Sequence, residues 1–243
     1  MALHFLLDTP ATQVVGDDVV LTGAEAHHAA TVRRVRVGEQ VTVGDGRGVW
    51  LTGECASLGP REVVVRVTDR AEVAPAAPRL VLVQALAKGD RDELAIQAAT
   101  ELGVDEIVPW QAARSVSRWD AAKADKGRAR WTTIVREAAK QAHRAWVPDV
   151  SALATTKTLA GRAAASRVYI LEPTAARALT EIDLAGDAEV VLVVGPEGGI
   201  AAEELDVLVH AGATPVRLGR TVLRTSTAGP AALAVASTAL GRW

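Results

Sequence analysis

The clearest pattern of hydrophobic and polar positions lies in the last quarter of the chain. An unbroken apolar run at residues 190–194 predicts a β-strand that is buried on both faces. Gly195, Gly198 and Gly199 follow it, and glycines at a strand end let the backbone turn sharply and approach a ligand closely. Apolar positions with helical spacing come next, so the segment predicts a strand, a glycine loop and a helix.

The same arrangement occurs a second time shortly afterwards. Residues 214–218 predict a short strand that ends at Gly219, and residues 226–240 predict the last helix. Two such units border a crevice at the carboxyl ends of parallel strands, where open α/β sheets bind their ligands. The glycines match neither GxGxxG nor GxxxxGK[ST], which leaves the dinucleotide and nucleoside triphosphate interpretations without specific support.

The middle of the chain alternates between strand and helix patterns, which is typical of a parallel sheet. Further strands are predicted at residues 79–86, 107–109 and 168–171. A helix is expected to begin at Asp90, with Glu93 as its capping-box partner, and to end at Gly103. The apolar positions on its expected buried face are Leu94, Ala98 and Leu102.

The amino-terminal third has a different pattern. Short strand-like runs at residues 40–43, 50–55 and 62–67 alternate with glycine-containing turns and predict a small β-barrel. Pro75 and Pro78 then flank small residues, as expected for a stiff linker. We therefore predict two domains, at residues 1–74 and 79–243.

Composition narrows the class of protein. With 49% hydrophobic residues the chain can build a core, and a net charge of −2 means that any basic surface is local. The single cysteine, Cys55, excludes an internal disulfide and suits a reducing compartment. No apolar run approaches the roughly 20 residues of a membrane span, and the start lacks the features of a signal peptide. Without HExxH or a cysteine cluster no metal is expected. The single cysteine, the lack of a membrane span and the start of the chain together predict a soluble cytoplasmic protein.

Residues 114–144 form a local basic region. Nine lysines and arginines stand against three acids, 9 − 3 = +6, with Trp119 and Trp131 between them. Basic and aromatic side chains together suit single-stranded RNA. The spacing of Trp131, Val135 and Ala138 favours instead a helix core for Trp131. A second cluster, Arg33, Arg34 and Arg36, fits either phosphate contacts or a solvated face.

The motifs GPEGG and LGRTVLRTSTA resemble the two cofactor loops of the knotted SPOUT methyltransferases. The most similar family is RsmE, which methylates N3 of a uridine in small-subunit (16S) ribosomal RNA. The segment AKGDRDELAIQAATELGVDEIVPW at residues 87–110 and the segment HHAATVRRVRVGEQVTVGDG near the start also resemble this family. The resemblance covers nearly the whole chain. It implies an α/β, trefoil-knotted SPOUT domain behind a small amino-terminal PUA-like β-barrel that binds RNA.

The resemblance also implies an enzyme that uses S-adenosylmethionine. Its RNA substrate would be 16S rRNA, within the assembled small ribosomal subunit, and the protein would be a homodimer with neither membrane nor metal. The small residues of the last helix suit a subunit interface, or equally a helix buried in its own domain. The implied cofactor-binding residues are Leu171, Glu172, Gly195, Pro196, Gly198, Gly199, Leu218, Gly219, Val222, Leu223 and Arg224.

Deprotonation of uracil N3 builds negative charge on O2 and O4, for which Arg114 and Arg224 are the candidate stabilisers. Glu197 or Glu137 would take the proton, directly or through water. The candidate RNA-binding residues are Arg33, Arg34, Arg36, Arg118, Lys140 and Arg144. Ser226 stands where the family usually has glutamate, and its hydroxyl is expected to cap the last helix. The alternatives are a ribose 2′-O RNA methyltransferase and a non-catalytic rRNA-binding assembly factor.

Overall fold

The computed structural model describes residues 3–186 and 188–243, which form two compact units. The first contains the chain up to Pro75 together with Ala139–Val147, and the second contains Ala76–Ala138 and Pro148–Trp243. The division predicted from the sequence assigned residues 139–147 to the second domain. The chain therefore enters the first unit twice, the second time at the end of a long helix.

The first unit is built on a five-stranded sheet in the order β1-β3-β4-β5-β2, in which only β1 and β3 pair in parallel. Its strands are β1 (Leu3–Leu6), β2 (Asp18–Thr22), β3 (Gln40–Gly44), β4 (Val49–Leu58) and β5 (Glu62–Glu72). The sequence predicted the last three, whereas β1 and β2 were not predicted. A short helix, α1 (Gly23–His27), and one further helical turn cover the core.

The second unit contains a six-stranded, all-parallel sheet in the order β11-β9-β10-β6-β7-β8. Its strands are β6 (Arg79–Ala85), β7 (Glu106–Trp110), β8 (Asp149–Val150), β9 (Arg167–Leu171), β10 (Glu189–Val194) and β11 (Thr214–Val216). The central strands β6 and β10 are almost wholly buried, which explains the apolar runs at residues 80–83 and 190–194. The predicted α/β class with a parallel sheet is confirmed. The trefoil knot stays a prediction.

Five helices accompany this sheet: α2 (Arg91–Glu101), α3 (Ala121–Gln141), α4 (Thr156–Ala163), α5 (Ala202–His210) and α6 (Thr225–Ala239). Trp131 of α3 is 1% exposed, so the core interpretation of this tryptophan is confirmed. The predicted buried face of α2 is wrong, because Leu94 is 51% exposed and Ala95, Ile96 and Ala99 are buried instead. These are mostly small side chains, and they let α2 pack closely against α6.

Helix α6 begins one residue earlier than predicted, and its first turn lacks the expected cap. Arg224 is the N-cap residue, no side chain caps the helix, and Ser226 is already the second helical residue. The small residues of α6 are used within the unit: a Cβ on Gly229 would lie 3.0 Å from Leu82 Cδ1, and Ala232 and Ala236 are fully buried. Part of the surface predicted for a subunit interface therefore packs inside the chain itself.

A partly buried ionic network lies at the amino-terminal ends of the sheet strands. The Arg162 guanidinium of α4 donates to Glu106 (Nη2–Oε2 2.8 Å) and to Glu189 (Nη2–Oε2 2.6 Å). Arg79 Nη1 is 3.1 Å from the Glu106 carboxylate. Burial opposes the ionisation of Glu106, but hydrogen bonds from Arg162 and Ser151 and the nearby positive charges outweigh it and lower its pKa. The network ties α4 to β7 and β10.

Within the residues the structure describes, no helix combines the length and the apolar character that crossing a membrane requires.

Candidate active site

A cavity of about 440 Å³ lies where the two glycine-containing loops meet, beyond the carboxyl ends of β9, β10 and β11. Its volume falls in the range of roughly 300–1,000 Å³ that is usual for small-molecule sites. Ten of the eleven residues proposed to bind a cofactor line it: Leu171, Glu172, Gly195, Pro196, Gly199, Leu218, Gly219, Val222, Leu223 and Arg224. The topology therefore brings the two sequence motifs to one pocket, as the strand–loop–helix pattern predicted.

The GPEGG loop forms one wall of this pocket. Gly195 is tightly enclosed, because a Cβ there would lie 2.7 Å from Ile200 Cγ1. Gly199 has φ +71, a left-handed conformation that favours glycine. Gly198 is the exception among the predicted residues: it is not part of the lining, and its Cα faces Arg114 instead. Gly198 contacts the neighbouring loop, and its role in cofactor binding stays a prediction.

A chain of hydrogen bonds fixes the two walls to each other. Gln84 Nε2, at the end of β6, donates to Thr225 Oγ1 (2.9 Å), and Thr225 Oγ1 donates to the carbonyl of Gly195 (2.9 Å). Thr225 is the first residue of α6 and lines the pocket, whereas Gln84 is fully buried. The sequence analysis missed both residues. A polar side chain inside the apolar strand of residues 79–86 was the available signal for Gln84.

The second wall is held by the Arg217 side chain. Its Nη1 donates to the carbonyls of Ala175 (3.0 Å) and Ala176, which fastens the loop after β9 to the loop after β11. Glu172 lies at the same edge, where its Oε1 accepts from the backbone N–H (3.1 Å) and the hydroxyl (2.9 Å) of Thr174. Arg217 therefore shapes the pocket through Nη1, one of the two terminal nitrogens of its guanidinium.

Arg224 has a different environment at the pocket rim. Its side chain is exposed, and it makes no hydrogen bond or salt bridge with any of the residues that the structure describes. As the N-cap residue of α6, with φ −66 and ψ 151, it occupies a fixed backbone position. A guanidinium placed in this way can donate to a bound substrate without first breaking an internal ion pair.

Glu197 lines the pocket on the opposite side, but its carboxylate is already engaged. Its Oε1 accepts from the backbone N–H of Lys88 (3.0 Å) and from Arg91 Nη1 (3.0 Å). Partial burial opposes its ionisation, yet hydrogen bonds from its own backbone, Lys88 and Arg91 outweigh burial and lower the pKa of Glu197. A carboxylate with a lowered pKa is a weak proton acceptor, which argues against the predicted general-base role.

The other two candidate catalytic residues lie outside the pocket lining. Arg114 is adjacent to it, because its Nη1 donates to the carbonyl of Gly198 (3.1 Å). Glu137 lies on the exposed side of α3, and it is not among the residues that line the pocket. The helical pattern placed Glu137 among basic residues but held no information about the distance from α3 to the glycine loops.

The predicted RNA-binding residues have unequal exposure. Arg33, Arg34, Arg36 and Arg118 are exposed, and Arg144 is half-buried. Lys140 is a correction: it is 3% exposed, and its Nζ lies 2.9 Å from Glu25 Oε1. A buried ammonium that is paired with a carboxylate holds α3 to α1 and cannot reach a phosphate. Its neighbours in sequence, which are basic as well, made the lysine look like part of a solvated surface.

Comparison with known proteins places this site in context. Residues 50–237 match the RNA methyltransferase domain family, and residues 21–68 match the RNA methyltransferase PUA domain family. The chain is 45% identical over its full length to the ribosomal RNA small subunit methyltransferase E of Mycobacterium bovis, of which it covers 94%.

Two solved structures share the fold over nearly their whole length. One is the ribosomal RNA small subunit methyltransferase E of Neisseria gonorrhoeae bound to S-adenosylmethionine (TM-score 0.85, 29% identity, 98% of each chain). The other is a methyltransferase of Legionella pneumophila in complex with the same molecule (TM-score 0.87, 29% identity, 98% of each chain). The predicted SPOUT class and the PUA-like amino-terminal domain are confirmed. With a matching domain family over most of its length and a full-length relative at this identity, the chain belongs to the ribosomal RNA small subunit methyltransferase E family, which is the RsmE family that its loops resemble.

Proposed function

We propose that this protein transfers a methyl group from S-adenosylmethionine to N3 of a specific uridine in 16S rRNA. The observation that carries the proposal is the single pocket formed by GPEGG and LGRTVLR, with the unpaired guanidinium of Arg224 at its rim. Such a pocket can hold an adenosyl ligand beside a planar base that becomes negatively charged.

The residues around the pocket suit this cofactor. Gly195 and Gly199 expose backbone groups that can hydrogen-bond an adenine edge, and Leu171, Leu218 and Leu223 offer apolar surface for its ring. Glu172 brings a carboxylate to the same wall, where it can accept from ribose hydroxyls. When bound, S-adenosylmethionine supplies a methyl group that is already activated on a sulfonium.

The protein then has to hold the uracil in line with that methyl group and favour loss of the N3 proton. We assign to Arg224, and to Arg114 beside Gly198, the stabilisation of the charge that develops on O2 and O4. Because Glu197 is a weak proton acceptor and Glu137 is not part of the pocket lining, we assign the N3 proton to water at the pocket mouth. Glu197 instead holds the turn before α2 against the glycine loop through Lys88 and Arg91.

The cofactor site gives a direct prediction at Thr225. Replacing Thr225 by valine keeps the shape but leaves the Gln84 amide and the Gly195 carbonyl without their shared partner. We expect the dissociation constant of S-adenosylmethionine to rise about tenfold, or about 1.4 kcal/mol. Calorimetric titration would measure it, with Thr225→Ser retaining wild-type affinity and the exposed Thr227→Val as a matched control. Equal affinities for the Val and Ser variants would contradict the role of this hydroxyl.

We further propose that the exposed arginines of the first unit bind the rRNA backbone. Arg33 and Arg36 flank Arg34, whose φ of 52 makes it unsuitable for an alanine replacement. None of the three forms a salt bridge with a carboxylate among the residues described, so their charge is available to phosphates.

Salt dependence tests this surface. Each phosphate contact to single-stranded RNA contributes about 0.7 to the slope of log affinity against log salt, so R33A/R36A should reduce the slope by about 1.4. Fluorescence anisotropy with a 16S rRNA fragment gives both slopes, and Arg61→Ala, an exposed arginine at the β4–β5 turn, is the control. An unchanged slope for R33A/R36A would remove these arginines from the interface.

The form of the substrate, the cellular location and the oligomeric state are part of the same proposal. The substrate would be rRNA within the small ribosomal subunit, the site of action the cytoplasm, and the assembly a homodimer. The support for these three comes from membership of the family rather than from contacts in the chain. The two alternative activities differ in product, because a ribose methyltransferase yields a 2′-O-methylated nucleoside and an assembly factor yields none.

A further inference from the structure

Glu204 is a buried carboxylate in the first turn of α5, directly after the GPEGG loop, and only 9% of its surface is exposed. Both of its carboxylate oxygens lie 3.0 Å from the backbone nitrogen of Ala113, and Oε1 also accepts from the Thr156 hydroxyl at 2.6 Å. Within the described part of the chain no lysine or arginine forms a salt bridge with it. Burying a carboxylate without a counter-charge is costly unless hydrogen bonds compensate, so its position calls for an explanation.

The segment that Glu204 holds is the loop between β7 and α3. The peptide groups of Ala113 are fixed on both sides: its N–H donates to Glu204, and its carbonyl accepts from Arg118 Nη2 at 3.1 Å. Arg114 follows immediately. Further along this loop the Gln111 side chain donates to the Ser117 carbonyl and accepts from the Trp119 N–H. Arg114 and Val116 are exposed, so the Glu204 contact holds the part of the loop next to Arg114.

The fixed loop places Arg114 against the glycine turn of the pocket. Its Nη1 donates to the carbonyl of Gly198 at 3.1 Å, and its Cβ lies 3.3 Å from the point where a side chain on Gly198 would begin. Glu204 therefore connects the helix after GPEGG with the backbone one residue before Arg114. The two ends of the connection, Gly198 and Glu204, belong to the same loop–helix unit.

We propose that Glu204 is a positioning residue for methyl transfer, which acts by holding Arg114 beside the base-binding side of the pocket. The inference rests on the proposed function, in which the Arg114 guanidinium stabilises the uracil anion. Glu204 itself touches neither substrate nor cofactor, since it is outside the pocket lining. Its carboxylate oxygens accept from Ala113 and Thr156, and Glu204 is not among the residues that line the pocket, so we assign it no part in proton transfer.

Glu204→Ala is the first test. Because displacement of a catalytic group by about 1 Å can cost about a hundredfold in rate, we expect kcat to fall by about that factor. The dissociation constant of S-adenosylmethionine should change less than about threefold, since the pocket lining is intact. Glu204→Gln keeps one acceptor for Ala113 and should retain an intermediate kcat. Thr156→Val removes the hydroxyl that contacts the same carboxylate and Trp110 Nε1 (3.4 Å), but it leaves the Ala113 contact in place. It is therefore the matched control, with kcat close to wild type.

A double-mutant cycle separates positioning from a general structural effect. If Glu204 acts through Arg114, then E204A should lower kcat no further in an R114A background, because the group it positions is already absent. Effects of the two replacements that multiply would overturn the proposal. Should E204A fail to fold, the same cycle is carried out with E204Q.

Hydrogen exchange of the full-length protein tests whether Glu204 holds the loop, and this measurement does not depend on enzymatic activity. The Ala113 amide should exchange faster in E204A than in wild type and T156V, and unchanged exchange would overturn the proposal. Absence of methyl transfer by the wild-type protein on the proposed substrate would instead refute the proposed function, and the exchange result would still decide whether Glu204 holds the loop.

Discussion

Replacement of Arg224 by alanine should lower methyl transfer by about a hundred- to a thousandfold, which is the usual cost of removing one donor that stabilises a developing anion. Arg224 lines the pocket, and its side chain makes no hydrogen bond or salt bridge with the rest of the described chain, so we expect folding not to depend on it. Single-turnover rates with saturating cofactor would measure the loss. The thermal midpoint should stay within about 2 °C of wild type, because exposed replacements rarely exceed about 0.5 kcal/mol.

The same loop provides a matched control for Arg224. Arg220 is exposed and four residues away, but it is not part of the pocket lining. Arg220→Ala should retain most of the rate, and Arg224→Lys, which keeps the charge but loses the planar fork, should be intermediate. Equal rates for R224A and R220A would show that a general positive potential, rather than a directed guanidinium, is what the loop contributes.

The second large effect concerns stability and arises at the opposite end of the sheet. Replacing Arg162 by methionine leaves Glu106 and Glu189 facing each other without their shared cation. Removing one partner of a buried ion pair costs about 3–5 kcal/mol. Because Arg162 is partly exposed and Glu106 keeps its contact with Arg79, we expect about 2 kcal/mol, or a fall of about 5 °C in Tm for a domain of this size. Lys157→Met, at an exposed position of the same helix α4, should leave Tm almost unchanged.

The direction of the pH dependence follows from Glu106. Its pKa is lowered in the folded protein below the ordinary value of 4.5. The stability that it contributes is therefore present above that value and is lost as the pH falls through the lowered, folded-state pKa. The difference in unfolding free energy between wild type and R162M should be full at pH 7 and shrink towards pH 4 and below. A difference that stays constant over this range would mean that the network contributes packing rather than charge.

The main features of the fold could be read from local patterns. The apolar run at β10 and the glycines after it are easy to recognise because a strand that is buried on both faces is mostly apolar, and glycines mark its end. The face of α2 could not be predicted in the same way. Leu94 is the largest apolar residue near the helix start, but close packing on α6 selects the small residues Ala95 and Ala99 instead. Which face a helix buries depends on its neighbour, and the sequence of one helix does not contain that neighbour.

The site shows the same division between local and long-range information. Both pocket loops were found because each contains its own glycines. The resemblance to the SPOUT methyltransferases indicated that the two loops bind one cofactor together. Gln84 and Glu204 escaped notice because their partners, Thr225 and Ala113, are 141 and 91 residues away in sequence. Lys140 was assigned to RNA binding because its basic neighbours are close in sequence, whereas its ion-pair partner Glu25 is 115 residues away. Charge counted along a segment does not reveal whether a distant carboxylate neutralises it.

The most direct test of the proposed function supplies the protein with radiolabelled S-adenosylmethionine and small ribosomal subunits that lack the modification. The RNA is then digested to nucleosides, and R224A serves as the inactive control. We predict that the label appears in 3-methyluridine with the wild-type protein and is nearly absent with R224A. Label in a 2′-O-methylated nucleoside, or no label although the cofactor binds, would contradict methyl transfer to uridine N3.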